Sequence, residues 1–355
     1  DAARRRRRPG EGIHMRVLIT GATGFVGSHT TAAALGAGHR VRVMVRDADK
    51  AARVLASHGI GPEDVEVAVA DMTDREAVSA AVAGCEAVIH TAAQIGVSAE
   101  VQAGHDTEVN AHGLRVVLEA AEAGRCDPVV HTSSTSAYWP VAGERLRPDS
   151  PLGSLDGAYC RSKRACEALI RDRQQHGVPA TTLVLGAVYG PDAPALDGSG
   201  DSVKAMLESM MLVTDGGVGV VDVRDVAALL VATLEPGRGP RHLLAGGTFL
   251  DWPGFVAAVE QAADRDIPVV EMEPAAVIDM GRGLDERRAA GDPVDIALSE
   301  EAARIMVASR PTDDDAWAAL GIRPRPAAET LASMIGWLID AGHLDPDLAP
   351  GVRPA

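Results

Sequence analysis

An α/β fold built on a doubly wound parallel sheet, with a smaller and mostly helical C-terminal cap, is predicted by three features of this chain. Short apolar runs alternate with segments of helical periodicity through the first half. Those runs lack polar alternation, as strands buried on both faces do. The first of them passes directly into a glycine-rich turn that opens a helix. Repeated strand–helix units of this kind make a parallel sheet covered by helices on both sides.

Taken in order, strands are expected at RVLIT (16–20), VRVMV (41–45), VEVAVA (65–70), AVIHT (87–91), PVVHTSS (128–134) and TTLVLG (181–186). Helices are expected over 25–37, 74–83, 108–123 and 157–176. Beyond about residue 190 the pattern loosens. GPDAPALDGSGD (190–201) is rich in Gly, Pro and Asp and reads as a mobile loop. Residues 218–222 and 241–245 return to the sheet layer, and the later helices form the cap. The last, near 326–342, carries Leu331, Met334, Ile335 and Leu338 on one face. The expected division is a dinucleotide-binding domain over 15–190, a cap over 191–345 interleaved with late sheet elements (218–245), and a tail over 346–355. Residues 1–14 are expected to be a disordered basic leader. Their five consecutive arginines also suit an arm for an acidic partner, and no apolar core follows them to make a secretory signal.

The chain has 355 residues, 46% of them hydrophobic and 24% charged, as in ordinary globular proteins. No apolar run reaches the length of a membrane span. A formal charge of -16 argues against nucleic acid as a partner and suits a cytoplasmic enzyme. Cys85, Cys126, Cys160 and Cys166 show no CxxC spacing and no paired histidines nearby. They read as free thiols in a reducing compartment, with neither a disulfide frame nor a metal site.

In TGATGFVGSH the glycines stand at 21, 24 and 27. Gly21 permits a sharp turn, Gly24 lets backbone approach a pyrophosphate, and Gly27 lets the helix pack closely on the sheet. The helix N-terminus then presents unpaired N–H groups to the phosphates. At the end of the second strand an NAD site wants an acid for the ribose hydroxyls, whereas NADP wants a cation. Val45 occupies that place, Arg46 follows it, and Asp47 begins the next turn. Arg46 favours NADP, with NAD the alternative, unless it is simply a solvated strand end.

GAYCRSKRACEAL, beginning at Gly157, places Tyr159 and Lys163 one turn apart on one helix face. The chain holds three tyrosines and three lysines, so chance alone would give this spacing only about 3% of the time. A phenol titrates near ~10, and a neighbouring ammonium favours its phenolate. Tyr159 is thereby suited to act as general acid for carbonyl reduction, or as base in the reverse direction.

The glycine turn in its GxxGxxG form, together with Tyr159 and Lys163, resembles the extended short-chain dehydrogenase/reductase family, whose turn reads TGxxGxxG. The resemblance covers nearly all of 15–345 and thins after about 250. It implies a Rossmann-type fold and an NAD(P)-dependent oxidoreductase. By its motifs Ser134, in HTSSTSAYW, holds the substrate oxygen, with Ser133 the runner-up, and Lys163 also holds the nicotinamide ribose. Asp71 and Met72 take the adenine end, and Ala92 and Ala93 lie along the ribose. Thr23, Phe25, Val26, Thr91, Thr132, Leu185 and Val188 complete the cofactor contacts, and Asn110 stabilises the central helix. In VLGAVYGP, Leu185 and Gly186 stand where the family writes Arg-Pro, which implies a differently shaped nicotinamide loop. VVDVRDVA (220–227) has the form seen in dihydroflavonol-reductase-like members, a branch that adjoins the hydroxysteroid dehydrogenases, with Asp225 as a helix cap and structural tie.

Within that family the leading expectation is a carbonyl reductase or alcohol dehydrogenase using NADP(H). Sugar-nucleotide dehydratases carry an acid pair after the catalytic serine, where Thr135, Ser136 and Ala137 stand here. An NAD-dependent sugar-nucleotide epimerase is the alternative, disfavoured by Val45 and Arg46, and a catalytically silent NAD(P)-binding regulator is a second. The expected substrate is a small-molecule carbonyl or alcohol, apolar if Met206, Met210 and Met211, on a helix leading from 190–201, line its pocket instead of filling the core, and Trp139 and Pro140 either border it or brace the strand exit. The resemblance also implies a homodimer through the helices near 108–123 and 157–176.

Overall fold

In RVLIT successive side chains point to opposite faces of a sheet, and every one from Val17 to Thr20 is buried, so this strand needs helices on both sides. The computed structural model describes residues 14–94, 106–196, 198–294, 296 and 298–352. The basic leader lies outside them except for His14, whose ring bonds Gly38 O at 2.8 Å. The chain runs β1 (Arg16–Thr20), α1 (Phe25–Gly36), β2 (Arg40–Val45), α2 (Ala48–Ala56), β3 (Val65–Val69) and α3 (Arg75–Val82). It continues through β4 (Ala87–His90), α4 (Asp106–Gly124), β5 (Val129–Ser134), α5 (Ala158–Gln175), β6 (Ala180–Leu185) and β7 (Ala187–Tyr189). Next come α6 (Gly198–Glu208), β8 (Met211–Val213), β9 (Gly217–Asp222), α7 (Val223–Ala232), β10 (Arg241–Ala245) and β11 (Thr248–Asp251). The last elements are α8 (Trp252–Ala263), β12 (Val269–Glu271), α9 (Pro274–Ala289), α10 (Glu300–Ala308), α11 (Ala316–Leu320) and α12 (Ala327–Asp340).

Seven parallel strands form the main sheet in the order β10-β6-β5-β4-β1-β2-β3. The order reverses between β1 and β4, which opens a crevice at the carboxyl ends of the strands. Val17, Ile19, Val41 and Val43 pack with α1, α2 and α7 on one face. Leu18, Met44, Val88 and Val129 pack with α3, α4 and α5 on the other. Each fully buried aliphatic side chain contributes about 1.5–3 kcal/mol over an exposed one. A third core joins α6, α8 and α12 around Met206, Phe255, Leu331 and Met334. α5 is tied to β10 by a buried network: Glu167 Oε1 lies 3.1 Å from His242 Nε2 and 3.3 Å from Arg171 Nε. Tyr138 joins it, its hydroxyl 2.7 Å from His242 Nε2.

Several expectations are corrected. β3 is an edge strand, and Val67 and Val69 are exposed because no further strand or helix among the described residues covers them. The segment 190–201 is not all loop: α6 begins at Gly198, since Val203, Met206 and Leu207 bury one face in the cap core. β9 lies outside the main sheet, in a small sheet ordered β11-β9-β7, whereas β10 does extend the main sheet beside β6. Met206 fills the core, one of its two expected places, but the helix ends at Glu208, so Met210 is exposed beyond it and Met211 begins β8.

Candidate active site

The glycine turn is shaped by close approach. Gly21 has φ +75°, and a Cβ there would fall 2.7 Å from Ala92 N. A Cβ on Gly27 would fall 2.1 Å from Gly21 O, so α1 can meet β1 only through a hydrogen. Gly24 is exposed and its Cβ would meet Gly21 O at 3.3 Å, so the fold itself demands less of it. It is the N-cap of α1 with no side-chain cap bond, which leaves the first-turn N–H groups available to a phosphate. The cradle therefore fits a dinucleotide, and Thr23 lies half-buried within it.

A cleft of about 470 Å³ extends from this turn across the carboxyl ends of the sheet. Gly21, Gly24, Phe25, Val26, Gly27, Thr91, Ala93, Thr132, Ser134, Tyr159, Lys163, Leu185 and Val188 all line it, and so does Trp139. Ala92 sits just behind, its N–H donating to Thr20 Oγ1 at 3.3 Å. Arg46 is exposed at the end of β2, beside Asp71, whose carboxyl is held below its usual range by bonds from Thr73 and by the Arg46 charge. Met72 does not line the cleft. It is buried between sheet and α4, where a Cβ on Gly113 would meet it at 2.6 Å. Asp47 caps α2, accepting from Lys50 N–H at 2.9 Å.

The Tyr159 hydroxyl reaches Ser134 Oγ at 3.5 Å, a long contact of the kind that tightens around a substrate. Ser134 Oγ accepts from Ser136 N–H at 3.2 Å and from Ser136 Oγ at 3.0 Å, leaving its own proton to donate elsewhere. Lys163 Nζ stands 5.8 Å from the Tyr159 ring centroid. Behind the site lie His90 and His131, both buried and stacked 5.7 Å apart. Burial first, and then the Lys163 charge, push His90 down to about 4; burial and then His90 push His131 down to about 3. Neutral at ordinary pH, they place no second cation beside the lysine. Asn110 ties the β4 exit to α5, bonding Gln94 N at 2.7 Å, Gln94 O at 2.9 Å and Ser162 Oγ at 2.9 Å.

Much of the far wall was not legible in the sequence. It comes from β9 (Val218), β11 (Phe249), α8 (Trp252), α10 (Ile305, Met306) and the α10 exit (Ser309, Arg310). Arg310 Nη1 donates to Val307 O and Ser309 O, each at 2.8 Å. Gly186 stands where β6 crosses β9 and the end of β10: a Cβ there would fall 2.1 Å from Gly246 O and 2.7 Å from Gly219 O. That crossing excludes any side chain at this position, proline included. The capping role expected of Asp225 belongs to Asp222, which accepts from Arg224 N–H at 2.8 Å. Asp225 is the tie, accepting from the Arg325 backbone at 2.6 Å and pairing with its guanidinium. Glu301, reaching the start of α5 from α10, carried no motif at all.

The four cysteines are free and buried, and no group of three or more His, Cys, Asp or Glu among the described residues could hold a metal ion. No helix among the described residues is long and apolar enough to cross a membrane.

Comparison with known proteins agrees with this geometry. The 3-diazoavenalumate denitrifying reductase of a Streptomyces species is 31% identical over 231 residues, covering 62% of this chain and 72% of that one. Cinnamoyl-CoA reductase 1 of Arabidopsis thaliana is 31% identical over 244 residues, 64% of this chain and 70% of that one. The structure of a UDP-glucose-4-epimerase from Stenotrophomonas maltophila, with bound NAD and formylated UDP-arabinopyranose, has a TM-score of 0.73 at 18% identity. That likeness covers 93% of this chain and 99% of that one, and it concerns the fold. Residues 17–246 match the profile of the NAD dependent epimerase/dehydratase family, so the chain is a member of that family.

Proposed function

We propose that this protein is an NADP(H)-dependent oxidoreductase that reduces a ketone or aldehyde, or oxidises a secondary alcohol. The observation that carries the reading is Tyr159 and Ser134 facing one point of the cleft, 3.5 Å apart, with the glycine turn opening on the same space. A bound nicotinamide supplies or accepts the hydride. In the reductive direction the Tyr159 hydroxyl gives its proton to the carbonyl oxygen as charge develops there, and Ser134 donates a second hydrogen bond to that oxygen. Lys163 keeps a positive charge beside the phenol and favours the phenolate left behind. Support for NADP comes from Arg46, exposed at the end of β2, while Asp47 is engaged as a cap.

Among the described residues the cleft lining holds no carboxylate, and Lys163 and Arg310 are its only basic side chains. This favours an apolar carbonyl over a sugar diphosphate, and hydride transfer over dehydration. The epimerase reading keeps some support from relatives, including a Bacillus subtilis UDP-glucose 4-epimerase 31% identical over 163 residues. The experiment is a titration of purified protein with NADPH and NADH, then a carbonyl screen with wild type and Tyr159→Phe. NADPH binding at least about tenfold tighter is expected, with turnover lost in the variant while NADPH still binds. Full turnover by Tyr159→Phe ends the mechanism; tighter NADH binding ends the cofactor assignment; cofactor retained through purification without net reduction favours the epimerase. A homodimer through α4 and α5 is part of the same proposal, and light scattering of the eluted protein tests it.

A further inference from the structure

α5 begins without a cap of its own. Gly157 is its N-cap and has no side chain to offer the first-turn N–H groups. They are met from the far end of the chain. Glu301, in the first turn of α10, accepts from Cys160 N–H at 2.9 Å through Oε1 and from Tyr159 N–H at 3.3 Å through Oε2. A Cβ on Gly157 would fall 2.0 Å from Glu301 Oε1, so the carboxylate fills the volume that an N-cap side chain would take. The tyrosine of the site is thus one of the two residues whose backbone this carboxylate holds.

α10 is also a wall of the cleft. Ile305 lies one turn beyond Glu301 on the same helix face, and Met306, Ser309 and Arg310 complete that wall. The helix does not need Glu301 for its own start, because Ser299 Oγ caps it by accepting from Ala302 N–H at 3.1 Å. Glu300, its neighbour, is occupied with Arg282 and Arg304 on the outer side. Glu301 alone of that turn reaches across to α5.

We propose that Glu301 is a positioning residue for Tyr159, a latch through which the α10 wall sets where the tyrosine-bearing helix begins. With the latch closed, the first turn of α5 is held and the phenol is aimed at Ser134. With it released, two N–H groups lose a charge-assisted acceptor, the turn frays, and the phenol moves off the substrate oxygen. Contact between substrate and the α10 wall therefore bears on the placement of Tyr159. The inference rests on the reading of Tyr159 as the general acid.

The test uses the full chain carrying Glu301→Ala or Glu301→Gln, with two readouts. One is amide hydrogen exchange over the first turn of α5, at Tyr159 and Cys160, mapped by peptide mass. The other is kcat and KM for an accepted carbonyl, beside the NADPH Kd. In Glu301→Ala, those first-turn amides should exchange about tenfold faster or more, with α4 and the rest of α5 unchanged. kcat should fall about tenfold while the NADPH Kd stays within about twofold, and Glu301→Gln, which keeps one acceptor oxygen, should recover part of both losses. Exchange at the wild-type rate overturns the latch, and so does acceleration throughout α4 and α5 together, which reports general loosening. Faster exchange with unchanged kcat overturns the positioning role. Selective acceleration at the start of α5 in a protein whose wild type reduces no carbonyl upholds the latch and sinks the reductase reading instead.

Discussion

At Gly27 a hydrogen in place of a methyl decides whether β1 and α1 can meet, whereas at Gly24 the same difference bears on what the turn can hold. A methyl at 27 would lie 2.1 Å from Gly21 O, a methyl at 24 only 3.3 Å from it and on the exposed side. Gly27→Ala should therefore cost about 1–3 kcal/mol in urea unfolding. Gly24→Ala should change stability by less than about 1 kcal/mol yet weaken NADPH binding at least about tenfold by covering the first-turn N–H groups. Equal effects of the two variants on both measurements would undo the division of roles. These glycines, with Ser134, Tyr159 and Lys163, were readable because each acts within a strand end, a turn or one helical step. The burial of Met72 was not readable because its neighbours on α4 are about forty residues away, and the cap of α7 was misassigned to Asp225 because two aspartates could supply it until the end of β9 at Asp222 chose between them.

Among elements, α7 shows how one buried carboxylate joins three parts of the fold. Asp222 caps the helix through Arg224 N–H, pairs with the Arg224 guanidinium at 2.6 Å, and accepts from Thr330 Oγ1 of α12 at 2.9 Å. Asp222→Ala removes the cap and leaves a half-buried arginine without its partner. It should destabilise the protein by about 2–4 kcal/mol, read as a lowered thermal midpoint. A loss below 0.5 kcal/mol, the scale of an ordinary surface change, would show that the contact is incidental. The start of α6 was hidden in the sequence because Gly198 and Gly200 are poor helix formers, and the burial of Val203, Met206 and Leu207 holds the helix in place. β9 looked like a main-sheet strand for the converse reason: its apolar pattern does not say which sheet it joins.

Across the whole molecule, the histidines predict how stability depends on pH. Burial pushes His29 and His90 down to about 4 and His131 to about 3. An unfolded chain takes protons on these rings as pH falls through about 6.5, while the folded protein does not until much lower. The contribution is thus complete above about pH 6.5 and declines as pH falls toward 4. The urea midpoint should drop steadily from pH 7 to about 5.5, above the range in which ordinary carboxylates titrate. A flat profile over that interval would show that these rings are not held neutral.

The sequence by itself determined the parallel sheet, the glycine turn and the pairing of Tyr159 with Lys163 on one helix face, since strand burial, glycine spacing and an i,i+4 step are local consequences of residue type. Tertiary structure alone decided the far wall of the cleft, the crossing at Gly186 and the reach of Glu301 to the start of α5. Those depend on which segments meet after the chain has doubled back, over more than a hundred residues in the case of Glu301. No pattern within a single element encodes such a meeting, because the free energy that selects it comes from burying apolar surface between segments distant in the chain.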